Sequence, residues 1–264
     1  MTFDADTPPL AGLTAAAHVL VTGASSGIGL GLVRQLLANR HVATVTAVSR
    51  HASQSEALAA LSRETTSERL SILDLDLVDE ASIDALPAQL RERHPRLHLV
   101  INAAGVLHAD NLRPERSIQQ LTRAALDQVF ALNAFAPILL ARALMPMLDR
   151  DEGSVFASLS ARVGSIGDNR LGGWYAYRAS KAAQNQLIRT FAIELARRNP
   201  KACCLLLHPG TVDTPLSAPF QANVPAEKLF SIERASRQLL NIIAGCTPAD
   251  SGRFIAWDGS DIPW

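Results

Sequence analysis

The stretch Thr22-Gly23-Ala24-Ser25-Ser26-Gly27-Ile28-Gly29 lies between an apolar run, Val19-Leu20-Val21, and a helical pattern in which Ile28, Leu32, Val33, Leu36 and Leu37 recur on one face. Strand, tight turn and helix therefore follow one another without a spacer. Gly23 permits the turn off the strand. Gly27 lets backbone approach a ligand with no Cβ in the way, and Gly29 lets the helix pack closely on the sheet. The free N–H groups of the first helical turn face the glycine turn, where the helix dipole favours an anion such as a pyrophosphate. A glycine triplet alone is a weak signal, and the rest of the chain decides its meaning.

Working outward, β-branched residues mark a second strand at 42–48, which ends in Ser49-Arg50. A polar helix over 53–64 has Ser53 as N-cap and Glu56 three residues on, a capping-box pattern. A third strand at 70–73 runs into Asp74-Leu75-Asp76-Leu77, and a helix from 79 to 94 stops before Pro95. The fourth strand, 97–101, meets Asn102-Ala103-Ala104-Gly105. A long amphipathic helix over 117–148 is expected to bend at Pro137. Further strands fall at 154–159, 202–207 and 253–257, and helices at 174–198 and 226–244. Alternation of this kind gives an α/β fold, one doubly wound domain with a parallel sheet of about seven strands and helices on both faces. Ligands on such sheets bind at the carboxyl ends of strands. The glycine turn, Arg50, Asp76, Asn102 to Gly105, Ser160 and Pro209-Gly210 all stand at such ends.

The 264 residues are 48% hydrophobic and 19% charged, enough apolar material for a substantial core. Net charge is zero with no basic block, which argues against nucleic acid or an anionic membrane as partner. No uninterrupted apolar run approaches the roughly 20 residues of a membrane helix. The opening MTFDADTPPL has no basic segment ahead of an apolar one. It reads as a flexible lead-in, residues 1–17, rather than a secretory signal, with the domain at 18–264. Cys203, Cys204 and Cys246 offer neither a disulfide framework nor a metal site, and buried free thiols suit a reducing cytoplasm. No metal is expected. His208, at a strand end, reads as a packed or hydrogen-bonded residue.

Tyr177-Arg178-Ala179-Ser180-Lys181 places Tyr177 and Lys181 on one helix face. A nearby ammonium favours phenolate and lowers the tyrosine pKa, making it an acid–base group for a carbonyl or alcohol oxygen. The ordered set TGASSGIG, Asn102-Ala103-Ala104-Gly105, Asn133 and Tyr177-x-x-x-Lys181 resembles the short-chain dehydrogenase/reductase family over nearly the whole chain. Residues 160–166, 172–178, His208-Pro209-Gly210 and Thr214 are similar to the subgroup of the C-factor signalling protein and the sniffer carbonyl reductases. The resemblance implies a Rossmann-type fold and hydride transfer between a nicotinamide and a small carbonyl or alcohol. Tyr177 would be the acid–base catalyst, Lys181 would bind the nicotinamide ribose, and Asn133 would hold a relay water. Gly23, Ser25 and Ile28, with Ser26, Gly27 and Gly29, would meet the pyrophosphate and adenosine, and Asp76 and Leu77 the adenine. Asn102, Ala103, Ala104 and Gly105 would line the cofactor cleft. Pro209, Gly210, Thr211 and Val212 would flank the nicotinamide, with Thr214 near its carboxamide. A homodimer through the two long helices is also implied.

Two positions refine this expectation. An acid at the end of the second strand would bind a ribose 2′-hydroxyl, whereas arginine accommodates a 2′-phosphate, so Ser49-Arg50 favours NADP over NAD. The family's serine, three residues before Gly164, is Ala161 here, and Ser160 lies one residue earlier. Because successive strand residues face opposite sides, a one-residue offset matters. Ser160 after a local bend, Ser165, or no serine at all could serve, and Ser160 is taken as the candidate. A weakly catalytic regulatory protein with the same cleft is the second reading. Residues 215–228, rich in Pro, Ala and polar side chains, are expected to form a substrate lid.

Overall fold

In the computed structural model, which describes residues 3–14, 16–66 and 68–264, the apolar runs become nine strands. They are β1 (Ala17–Thr22), β2 (Val42–Ser49), β3 (Leu70–Asp74), β4 (Leu99–Asn102), β5 (Ser154–Leu159), β6 (Ala202–His208), β7 (Thr211–Val212), β8 (Leu229–Phe230) and β9 (Phe254–Ala256). Seven make one parallel sheet in the order β3-β2-β1-β4-β5-β6-β9, and β7 pairs with β8 separately. Strand order reverses between β1 and β4, so the glycine turn after β1 stands at the switch point where such sheets bind ligands.

The α-helices are α1 (Gly27–Ala38), α2 (Glu56–Glu64), α3 (Glu80–Arg91), α4 (Arg123–Phe130), α5 (Ala136–Leu144), α6 (Tyr175–Arg198) and α7 (Ile232–Gly245). Strand residues alternate between two apolar layers. Val19, Val21, Val45 and Ile101 pack with Leu32 and Leu36 of α1 and Leu239 of α7. Leu20, Val48, Val100 and Phe156 pack with Leu86 of α3, Leu140 of α5 and Ile188 of α6. Burial on both faces explains why these strands read as near-continuous apolar runs.

Several boundaries differ from the sequence expectation. Ser55, not Ser53, caps α2 by accepting from Leu58 N, because Ser53 is drawn to the Asp74 carboxylate through its N–H and hydroxyl. Residues 229–230 pair with β7, so α7 starts only after its N-cap, Ser231. The expected helix over 117–148 is divided. A five-residue π turn, Ala131–Phe135, separates α4 from α5, and Pro137 sits in the first turn of α5. Pro137 has no N–H to bond the carbonyl four residues back, and the wide turn just before it absorbs that loss.

Residues 123–147 contain an 18-residue window with a mean hydropathy of 1.6, long and apolar enough to cross a membrane although polar residues interrupt it. Here they are built into the fold: Leu140, Ala141 and Leu144 are fully buried in the sheet's α3/α5/α6 layer. The segment expected to be a loose lead-in also packs, with Phe3 and Leu10 buried in the α1/α7 layer. Asn39 Nδ2 donates to the carbonyls of Asp4 (2.7 Å) and Thr7 (2.8 Å).

Leu36 is fully buried where α1 meets the sheet. Leu36→Ala is expected to cost about 2–5 kcal/mol of stability, read as a lower urea midpoint with an unchanged slope.

Candidate active site

The turn after β1 is shaped for close approach. Gly23 and Gly27 have φ of +66° and +53°, in the left-handed region. A Cβ on Gly23 would lie 2.8 Å from Ala104 N, and one on Gly29 would lie 2.2 Å from the Gly23 carbonyl oxygen. Ser26 caps α1 in extended backbone without a side-chain hydrogen bond, and no acidic residue occupies the first turn. The N–H groups there remain open to an anion, so these residues fit a dinucleotide phosphate. At the next strand ends Arg50 is exposed and makes no ion pair among the described residues. Asp74 is tied to Ser53, whereas Asp76 Oδ1 accepts from Val78 N at 3.0 Å.

A buried polar chain runs from this turn to α6. Thr22 Oγ1 donates to Asn102 Oδ1 (2.7 Å), and Asn102 Nδ2 donates to Ser158 Oγ (3.0 Å). Gln184 Nε2 donates to the same hydroxyl (2.8 Å), while Gln184 Oε1 accepts from Lys181 Nζ (2.8 Å). Lys181 Nζ also donates to the Leu159 carbonyl at 2.9 Å. In the ammonium form two of its three protons are thereby held, leaving one for a ligand hydroxyl. Asn102, expected to line the cleft, uses its side chain to join β1, β4 and β5.

Asn133 lies in the π turn, fully buried. Its amide accepts from Val106 N and donates to the Val106 carbonyl, both at 2.8 Å, and donates to Ser180 Oγ at 3.2 Å. A Cβ on Gly105 would come within 3.3 Å of Asn133 Oδ1 and 3.8 Å of Lys181 Nζ. Asn133, Gly105 and Lys181 are thus neighbours, as the ordered motifs require. Lys181 Nζ lies 6.0 Å from the Tyr177 ring centroid.

The electrostatics differ from expectation. Burial pushes Tyr177 up to about 12 and Lys181 down to about 7. Desolvation disfavours either charge and is the cause of both shifts. Tyr177 is therefore a protonated phenol at neutral pH.

Tyr177 borders a cavity of about 410 Å³ whose wall also includes Ile28, Ser160, Ala161, His208, Pro209, Gly210, Thr211, Val212 and Thr214. Trp174 and Phe220 meet edge to face across it at 4.9 Å, and Phe220 belongs to the expected lid. His108 bonds the Pro215 carbonyl (3.1 Å), and Gln221 bonds Asp213 (3.0 Å), holding that segment in place. Ser160 donates its hydroxyl proton to Asn185 Oδ1 at 2.6 Å. Ala161 packs in the small apolar cluster around Tyr177. Ser165 is off the cavity wall and accepts from Asp168 N at 3.1 Å. His208, expected to be packed or hydrogen-bonded, has a buried Nδ1 with no partner among the described residues.

Sequence reasoning missed Gln184 and Glu115. Gln184 falls three residues after Lys181 and seven after Tyr177, so a polar residue on that buried face was the available signal. Glu115 comes from the loop after β4. Its carbonyl accepts from Trp174 N (2.6 Å) and its carboxylate from Ala176 N (3.2 Å), fixing the start of α6 at Trp174, whose φ is +52°. No local pattern announces that contact.

The short chain dehydrogenase family profile matches residues 17–225. The chain belongs to the short-chain dehydrogenase family. It is 32% identical to the 1-hydroxy-2-glutathionyl-2-methyl-3-butene dehydrogenase of Rhodococcus sp. (strain AD45), over 93% of this chain and 99% of that one. It is 36% identical to the C-signal protein of Myxococcus xanthus over 53% of this chain and 80% of that protein. The NADPH-bound carbonyl reductase from chicken fatty liver superposes with a TM-score of 0.83 at 31% identity, covering 96% of this chain and all of the other.

Two predictions follow from the geometry around Lys181. A Cβ on Gly164 would meet Lys181 Cβ at 2.8 Å and Lys181 C at 2.9 Å. Gly164→Ala is therefore expected to displace α6 and cost about 1–3 kcal/mol, seen as a lower melting temperature. Lys181 titrates near 7 in the fold against 10.5 when free. Between those values the unfolded chain holds a proton that the fold has released, so stability rises with pH across that window. Lys181→Met should flatten this slope in urea titrations of the ligand-free protein.

Proposed function

We propose that the protein is an NADP-dependent reductase of small carbonyl compounds, working in the cytoplasm as a homodimer. The observation that carries this reading is Tyr177, a buried, protonated phenol at the wall of an apolar cavity that also meets Ile28 and Thr214 beside the glycine turn. When bound, the reduced nicotinamide supplies the hydride. The residues of the chain do the rest. Tyr177 gives its proton to the oxygen of the accepting carbonyl, the direction a phenol with a raised pKa favours. Lys181, held by Leu159 and Gln184, keeps one N–H for a ribose hydroxyl. Asn133 fixes the loop at Val106 and holds the path by which Lys181 reaches solvent. Ser160, one residue before the family's position, is the candidate serine on the cavity wall, with its proton committed to Asn185.

Gly23, Ser25, Ser26, Gly27, Ile28 and Gly29 bind the phosphates and adenosine, with Asp76 and Leu77 at the adenine. Ala103, Ala104 and Gly105 form the cleft wall, and Pro209, Gly210, Thr211, Val212 and Thr214 enclose the nicotinamide. The preference for NADP rests on Arg50, exposed, without an ion pair among the described residues and with no carboxylate at the end of its strand. The NADPH bound to the chicken reductase supports it. The homodimer is supported by apolar side chains exposed on the two long helical segments, Phe135 and Ile193. Likeness to C-signal, with Ala161 beside Tyr177, favours one alternative: a dinucleotide-binding signalling protein with little turnover.

Parallel titrations with NADPH and NADH test the cofactor. Arg50→Ala should weaken NADPH and spare NADH, and equal loss of both would remove the 2′-phosphate argument. Tyr177→Phe should lower kcat by about 10²–10⁴-fold while NADPH affinity persists. A wild-type protein that binds NADPH and reduces no carbonyl in a broad panel would favour the signalling alternative.

A further inference from the structure

Neither of the two candidate positions after β5 brings a free hydroxyl to Tyr177. Ala161 stands in the apolar cluster around that tyrosine, and the Ser160 proton is held by Asn185. A carbonyl oxygen accepting hydride gains negative charge, and a second hydrogen-bond donor aimed at it stabilises the transition state.

Strand register shows where another donor lies. Leu159 of β5 pairs with Leu207 of β6, and Ser160 N bonds the Leu207 carbonyl at 2.8 Å, so Ser160 and His208 are neighbours at the carboxyl edge. Cys204 and Leu206 of β6 pack in the layer with Phe156 and Ile188 of α6. By alternation His208 shares that face, the one on which α6 carries Tyr177. His208 lines the same cavity as Tyr177.

No described residue hydrogen-bonds either ring nitrogen of His208, and Nδ1 is buried. Nε2, with no partner among the described residues, is the ring nitrogen left for a ligand in the cavity. We infer that His208 is a catalytic residue that donates, through Nε2–H, the second hydrogen bond to the substrate oxygen protonated by Tyr177, in place of the family's serine. This rests on the reductase reading above. Burial, reinforced by the charge of Arg162 and opposed by that of Asp258, pushes His208 down to about 4. The imidazole is thus neutral at working pH, a donor that does not compete with Tyr177 for the transferred proton.

The test uses the full chain with NADPH and benzil, an aromatic dione suited to a cavity walled by Trp174 and Phe220. His208→Leu should lower kcat about 10²–10³-fold while the NADPH dissociation constant stays within about twofold. His208→Gln, which restores an N–H, should recover about tenfold or more, by the worth of one donor. Ser160→Ala should fall less than His208→Leu. If the leucine variant fails to fold by thermal melting, His208→Phe takes its place. An unimpaired kcat in the donor-free variant, no recovery with Gln, or a larger loss for Ser160→Ala would overturn the assignment and leave the reductase reading intact. Wild-type protein that binds NADPH and reduces neither benzil nor any other carbonyl of the panel would sink both.

Discussion

A lysine with almost no contact with solvent is held in place by a hydrogen-bonded chain that begins on the first strand. Thr22, Asn102, Ser158, Gln184 and Lys181 are all buried and linked by hydrogen bonds that converge from both ends on the Ser158 hydroxyl. In a low-dielectric interior such a chain is favourable only when every member is satisfied, which couples the members' positions to one another. The strand that leads into the glycine turn and the helix that carries Tyr177 are therefore fixed as one unit. The two halves of the cleft keep their spacing without any contact between glycine turn and α6 in sequence.

The same burial sets the chemistry. A phenol and an amine share a desolvated pocket, and both are driven toward their neutral forms. That arrangement suits a proton donor, and it makes the lysine a hydrogen-bonding anchor in the free protein rather than a full positive charge. The cavity beside them is walled by aromatic and aliphatic side chains, so the polar groups that face it are few and each acts with little competition from water.

Much of this could be read from the amino-acid order. Alternating apolar runs gave the doubly wound sheet, because strands buried on both faces must be apolar throughout. Motif residues fell at strand ends because that is where such sheets leave their backbone groups free. The position of Tyr177 relative to Lys181 needed only helical spacing. What stayed hidden depends on contacts distant in sequence. Ser53 reads as a cap until Asp74, brought up by the pairing of β2 and β3, takes its hydrogen bonds. Gln184 looks like an ordinary helix amide until Ser158 is placed beneath it. The parity of β5 does reveal that Ser160 and Ala161 must face apart, but only the fold shows that Ser160 turns to Asn185.

The π turn at Ala131–Phe135 makes chain length itself carry information. It adds a residue to one helical turn, with Ala136 N bonding the Ala131 carbonyl, and so sets the phase between α4, which packs on α6, and α5, which also packs on α3. Each residue of an α-helix advances the side-chain direction by about 100°. A chain one residue shorter there would keep its composition, its hydropathy and the order of its motifs. Asn133 would then swing away from Val106, or α5 would turn its apolar face from the sheet. In this segment a deletion is a graver change than most substitutions, and an alignment that closes the gap elsewhere would hide it.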